Sequence, residues 1–462
     1  MSTMLSLVSA VPFLILVGWI ALRRRFLIYL LSFVLIAFAW RLASIIYIDA
    51  AGPLHAEQLF RTIGGGRSAL VLVATQTVTL LAVLLVFSSA RLKRLAGMRV
   101  EAGSSVLSLS NSTFGGLVFG SVLLFLLLLF ADLARGGVIP LLVGIEEYVF
   151  TQRCAGTFHA LLTRFGDLLS FYLGLFYANR LLAGGKPDRR FLLLFLGVLV
   201  YMLLAGHRFS AFYRFTAFFL MPLGVVVLRQ EFSAAPHTGR AGAEGPRARA
   251  YRRDVIIVAA AAIALMVFGT YRSLFSRVTS ECAIGRATRV APSVGEVVAP
   301  SPQTALGYLQ QRMLVQQGEL WWATYERIFL RDKFEPDRAF NRVFIDPILP
   351  PRRNSTIPYL MERAIGDRAS KILEVGSQYT GGFPEIFFEL LGKVMAFPAI
   401  FLMSLIMARL LFMLVESVQL QRAVRTFLVF YVLYAFILLP ATGMLNFLVT
   451  WKFWLKVAAL AS

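Results

Sequence analysis

The feature that most constrains this chain is the recurrence of long apolar blocks, of which Leu117 to Ala131 and Val255 to Phe268 are two. A helix needs roughly 20 mainly apolar residues to cross about 30 Å of hydrocarbon. Of the 462 residues, 58% are hydrophobic and 15% charged, against about a quarter charged in soluble domains. A single soluble core does not need so many separate apolar blocks. The chain therefore reads as an all-α polytopic integral membrane protein.

The block spacing predicts about eleven spans, at 4–22, 26–48, 68–90, 114–131, 166–183, 191–206, 209–228, 255–271, 394–415, 426–440 and 443–460. Pro440 and Gly443 interrupt the last pair, and Lys452 and Lys456 lie in the final one. No cleavable signal peptide is expected, because basic residues follow the apolar stretch Met4 to Leu22 rather than precede it. No internal repeat of the transporter kind is evident. Three regions result: spans at 1–271, a large loop at 272–393 and spans at 394–462. The first contains a linker at 230–254 whose Gly, Ala, Pro and Arg content reads as disordered.

Orientation follows from the basic residues. The connections at 23–25, 91–101, 180–190, 229–254 and 416–425 carry 19 Lys and Arg, whereas those at 49–67 and 132–165 with Arg208 carry 6. Basic connections stay cytoplasmic, so the N-terminus and the large loop are expected outside and the C-terminus inside. The same rule accounts for a net charge of +21, from 46 Lys plus Arg against 25 Asp plus Glu. No aromatic residues interleave a basic stripe, which excludes nucleic acid as a partner. Cys154 and Cys282 are the two cysteines, and both fall outside. That suits a disulfide in an oxidising periplasm, with two unrelated thiols as the alternative.

Four constellations could carry chemistry. Gly206-His207-Arg208 forms a short external turn, with Arg214 one to two turns into the next span. Charges at this depth usually face a cavity, and two guanidiniums suit phosphate or pyrophosphate; Arg208 could equally snorkel to the interface. A helix predicted over Thr304 to Arg331 would put Arg312, Gln316, Glu319, Ala323 and Glu326 on one face, a polar row that could also be its wet side. Trp321 and Trp322 are expected at the membrane interface rather than stacked on sugars. Gly376 to Glu385 (GSQYTGGFPE) permits a tight turn at membrane depth, tolerable where protein covers it or it lines a cavity, with Glu385 and Glu389 one turn apart beside it. Arg135-Gly136-Gly137, with Glu146, Glu147, Arg153 and His159, reads as a solvated interfacial segment. Four scattered His and two Cys give no metal-ligand spacing, and no glycine-rich phosphate loop follows a strand. No metal and no cofactor is expected.

Together these pieces resemble the O-antigen polymerases, the Wzy-type glycosyltransferases of bacterial lipopolysaccharide assembly. The likeness rests on Arg135-Gly136-Gly137 after a span, Gly206-His207-Arg208 between short spans, Arg312 to Trp322, and Tyr379-Thr380-Gly381-Gly382-Phe383-Pro384 through Gly392. It covers most of the chain in layout but only these pieces in residues. It implies a metal-independent transferase in the bacterial inner membrane, active at the periplasmic face, with undecaprenyl-pyrophosphate-linked oligosaccharides as donor and acceptor. A chain-length regulator, a flippase and membrane lipid are the implied partners. External arginines would hold the pyrophosphate, which assigns Arg208, Arg214 and Arg312 to catalysis with Glu319 orienting the acceptor. Arg272, His207, Gln316, Tyr379, Gly381, Gly382 and Arg135 are then expected to bind substrate. The related O-antigen ligases carry a functional His in the large loop, and 272–385 contains none. A lipid-linked sugar flippase is the further alternative.

Overall fold

The computed structural model describes residues 8–56, 59–88, 108–109, 111–143, 150–151, 154–182, 185–207, 209–233, 246–275, 314–348, 356–374 and 381–461, with positions 90, 92 and 95. The described part is almost wholly helical. In chain order its main helices are α1 Val11–Arg23, α2 Ser32–Ala51, α3 Ser68–Val86, α4 Ser112–Arg135, α5 Thr157–Leu182, α6 Arg189–Leu204, α7 Phe209–Leu220, α8 Leu223–Ser233 and α9 Pro246–Phe275. In the large loop α10 Glu319–Tyr325 runs into a π-helix, π1 Glu326–Leu330, and α11 Pro336–Phe340 into a second, π2 Asn341–Ile345. Then come α12 Thr356–Ile365, α13 Arg368–Glu374, α14 Glu385–Gln419, α15 Ala423–Thr442 and α16 Trp451–Ala461. The strands β1 Leu54–Ala56 and β2 Arg61–Ile63 pair antiparallel, with Leu54 opposite Ile63, between α2 and α3.

Six helical stretches are long and apolar enough to cross a membrane: α2, α3, α4, the α7–α8 stretch, α14 and α15. The protein is thus membrane-embedded. The other expected spans fall on helices that are shorter, more polar or only partly described. The last of them is a 3₁₀ turn, Asn446–Val449, followed by α16, which turns back along α15 with Phe453 against Phe436 and Lys456 over the Tyr431 ring.

Local chemistry sets the helix ends. Asn111 caps α4 by accepting from the backbone N–H of Thr113 at 2.9 Å, satisfying a donor that the first turn leaves orphaned. Asp49 at the end of α2 caps α3, accepting from Ser68 Oγ at 3.0 Å and Ala69 N at 2.9 Å. Asp132 does the same for α5 through Phe158 N at 2.8 Å. Gly443, left-handed at φ +63°, stops α15. α14 is broken at Gly392, φ +71° and ψ −171°, so the segment with Glu385 and Glu389 is offset from the span that follows.

Lipid tails are as apolar as leucine, so helices associate there through close packing and polar contacts rather than the hydrophobic effect. Along α5 the small residues Gly166, Ser170 and Gly174 recur every fourth position and face α7. A Cβ on Gly174 would stand 2.0 Å from the Phe219 carbonyl oxygen, and the Ser170 hydroxyl donates to the Phe215 carbonyl. This contact brings Asp167 of α5 beside Arg214 of α7. α2 packs against α3, α7 and α15, and α14 packs against α3 and α15.

The long helix expected over Thr304 to Arg331 is not continuous in its described part. Residues 315–318 form a turn before α10, and Gly318 there sits so close to α2 that a Cβ would meet Ile45 at 2.7 Å. Gln316 and Glu319 therefore do not share a helix face, and the row is not a wet side: Glu319 and Ala323 are buried. Trp321 and Trp322 are also buried inside the protein, not at an interface, and the Trp321 indole donates to the Ser68 carbonyl at 3.2 Å. Bulky rings in this position fasten the loop to the top of α3.

Candidate functional site

A cavity of about 230 Å³ opens where the N-terminal half of α2 and the ends of α7 and α15 meet the large loop. Its polar lining is Arg41, Ser210, Arg214, Gln317 and Thr442, with Gly381. Its apolar wall includes Phe33, Ala37, Trp40 and Leu438. Phe33, Ala37 and Arg41 lie on one face of α2 at helical spacing, so the cavity reaches about 12 Å along that helix from its charged end. Ile357 of α12 lines it from the loop.

The two arginines are held by carboxylates. Arg214 Nε donates to Asp167 Oδ1 at 2.9 Å, and the Tyr434 hydroxyl of α15 donates to the other oxygen of Asp167. Asp167 is buried, whereas 40% of the Arg214 side chain remains open. Arg41 is closed in: it forms an ion pair with fully buried Glu385 and donates to the Phe383 carbonyl. A glycine at 381 is what lets these groups meet. A Cβ there would stand 3.1 Å from both Arg41 Nη2 and Glu385 Oε1. Each guanidinium has one carboxylate, so the four charges balance.

A second buried cluster bolts the loop down. Glu389 accepts from Arg327 Nε at 3.1 Å and from the Tyr359 hydroxyl at 3.2 Å, and Arg363 Nε lies 3.8 Å away. Arg363 also pairs with Glu335 at 2.8 Å. Its guanidinium holds the Glu335 carboxyl below the usual carboxylate range, and burial raises the Tyr359 hydroxyl, which keeps it a donor.

Of the residues expected from sequence, Arg214 and Gly381 line the cavity. Gly382 lies immediately behind, against the end of α15, where a Cβ would stand 2.0 Å from the Thr442 carbonyl oxygen. Other expectations need correction. Glu319 is fully buried and is not part of the lining, so it does not meet an acceptor there. Gln316 gives way to its neighbour Gln317, because the turn at 315–318 points the next side chain inward. His207 is buried beside His159, ring centroids 5.4 Å apart, and is not in the lining. His159 itself is buried rather than solvated, with Nδ1 2.8 Å from the Tyr201 hydroxyl. Arg135 is exposed at the end of α4, away from the cavity. Arg208, Arg312, Tyr379, Cys282 and the Arg272 side chain lie outside the described residues, as do Glu146, Glu147 and Arg153. Cys154 is disulfide-bonded.

Sequence reading missed Arg41, Asp167, Trp40, Gln317 and Tyr434. For Arg41 and Asp167 the signal was present: each is a charge inside an apolar span, the criterion that singled out Arg214. Nothing local marks the others. Among the described residues no group of three His, Cys, Asp or Glu could hold a metal ion.

A polytopic helical membrane protein with a loop-capped cavity and two carboxylate-held arginines is the class that fold and site define. A model described as a family of unknown function (DUF6418) matches residues 350–456. This stretch supplies Ile357, Gly381, Leu438 and Thr442 to the cavity, and it contains Glu385 and Glu389, which hold Arg41 and Arg327. No curated protein and no solved structure matches the chain.

Proposed function

We propose that the chain is a glycosyltransferase of eleven spans in a bacterial inner membrane. It joins undecaprenyl-pyrophosphate-linked oligosaccharide repeats into O-antigen or a related surface polysaccharide at the periplasmic face. The observation that carries the reading is the lining of one cavity by Arg41 and Arg214 at its loop end, by Phe33 and Ala37 farther down α2, and by Leu438 of α15. An anionic head with a hydrocarbon tail fits both parts. The growing glycan on its lipid pyrophosphate is the donor, and a terminal hydroxyl of the incoming unit is the acceptor. Attack at the anomeric carbon forms the new glycosidic bond and breaks the bond to the pyrophosphate oxygen. The acceptor's proton passes to water, and the lipid pyrophosphate departs with the bonding electron pair, so negative charge builds on the leaving oxygens.

Arg214, open to the cavity, meets that charge with forked N–H groups, and Arg41, held by Glu385, is the second guanidinium of the lining. Donors already in place cost no reorganisation when the charge develops. The balanced charge of the two ion pairs also suits turnover, because a bare pair of cations would retain the released lipid pyrophosphate. Trp40, Gln317, Ser210 and Thr442 offer a ring face and hydrogen bonds to the first sugar.

The test is lengthening of lipid-linked repeats by purified protein in liposomes. Arg41→Ala and Arg214→Ala should each lower the rate by about 10²–10³, and Arg214→Lys should rescue poorly because it loses the fork. Transbilayer movement without lengthening would select a flippase, and transfer of finished chains to a lipid A core would select a ligase. Near-normal lengthening by both alanine variants would move the pyrophosphate site elsewhere.

A further inference from the structure

The Asp167 carboxylate shows what sets the direction of the Arg214 fork. It is buried on α5, in the face that the small residues Gly166, Ser170 and Gly174 press against α7. One oxygen accepts from Arg214 Nε at 2.9 Å, and the other accepts from the Tyr434 hydroxyl of α15. Three helices thus fix one guanidinium. Among the described residues, Nε is the nitrogen of Arg214 that has a protein acceptor. The two Nη groups remain, on a side chain that lines the cavity and is 40% open. A guanidinium gripped at its Nε edge presents its Nη pair in a fixed plane, which is the geometry a phosphate needs for two parallel bonds.

We propose that Asp167, with the Tyr434 hydroxyl behind it, is a positioning residue that aims the Nη groups of Arg214 at an anionic ligand in the cavity. This rests on the reading of the cavity as a pyrophosphate site. The charge of Asp167 works against ground-state binding, because it repels the anion. Its benefit lies in orientation, which counts most when charge is developing on the leaving oxygens. Turnover should therefore fall on its removal while affinity is kept or gained, a split that a merely structural ion pair would not produce.

The experiment uses the full-length chain in lipid nanodiscs. It measures the melting temperature, the affinity for inorganic pyrophosphate by calorimetry, and kcat and KM for lengthening. Asp167→Asn should keep or strengthen pyrophosphate affinity while kcat falls by about tenfold or more, with KM little changed. Tyr434→Phe leaves the ion pair in place and should show the same split at smaller size, so the proposal survives a poorly folding Asp167 variant. Wild-type kcat in both variants would overturn it. So would loss of pyrophosphate affinity in Asp167→Asn equal to that in Arg214→Ala. A wild-type chain that binds pyrophosphate through Arg214 but lengthens nothing ends the polymerase reading, and the affinity comparison then decides on Asp167 alone.

Discussion

Gly382 and Gly443 show how strictly single residues are set around the cavity. Gly382 has φ +125° and Gly443 φ +63°, and each blocks a side chain on the other. A Cβ on Gly382 would stand 2.0 Å from the Thr442 carbonyl oxygen, and one on Gly443 would stand 2.0 Å from that of Gly382. Both obstacles are backbone, which has little room to yield. Left-handed strain alone costs about 1–3 kcal/mol, and the overlap adds to it. Gly382→Ala and Gly443→Ala should each lower the melting temperature of the purified protein in nanodiscs. Gly18→Ala on α1 should not, since no atom lies within 4 Å of its Cβ position. Equal melting curves for all three would mean that the turn before α14 does not rest on the end of α15. The glycine pair at 381 and 382 was readable as a tight turn, because only glycine makes that backbone cheap. Its partner at 443 was read merely as an interruption, since nothing in a sequence says which distant backbone will press on it.

Among elements, the upper segment of α14 holds the loop. Its two glutamates point into separate clusters, Glu385 to Arg41 in the bundle and Glu389 to Arg327 and Arg363 in the loop. The π-helical turn at Glu326–Leu330 carries Arg327, and α12 carries Arg363 together with the cavity residue Ile357. Breaking a buried ion pair by removing one partner costs about 3–5 kcal/mol, because the charge left behind is uncompensated. Glu389→Ala should therefore loosen π1 and α12, seen as faster amide exchange there, while α3 and α15 keep their protection. Uniform loss across the bundle would refute a local role. The outer pair responds to pH. Arg363 lowers the pKa of Glu335, so the stabilisation is complete above the ordinary carboxylate pKa near 4.3. It is lost as pH falls through the lower folded value. Glu335 is 45% exposed, so solvent screens the effect. Between about pH 6 and pH 3, wild-type α12 should lose more exchange protection than Glu335→Gln. The same loss in both would show that the pair does not sense acid.

For the whole molecule, orientation rests on the basic residues of its connections. Single cysteines replacing Ala243 and Ser355, in a background without native cysteines, should report opposite sides. The one at 355 should react with an impermeant maleimide in whole cells, and the one at 243 only after permeabilisation. The reverse pattern would put the loop and cavity in the cytoplasm and end the proposed periplasmic chemistry. What the sequence determined by itself was the membrane-embedded helical class, because hydrocarbon admits long apolar helices and every such block is visible in one dimension. It also singled out Arg214 and Gly381, which line the cavity, because an intramembrane charge and a glycine pair are locally abnormal. The tertiary structure decided which charges answer one another. Arg41 meets Glu385 across 344 positions of sequence, and Arg214 meets Asp167 only because α5 and α7 approach over small residues. It also buried Glu319 and His207 and left both, with Gln316, outside the cavity lining. Burial and partner choice follow from how helices pack, and the spacing of residues along one helix carries no record of its neighbours.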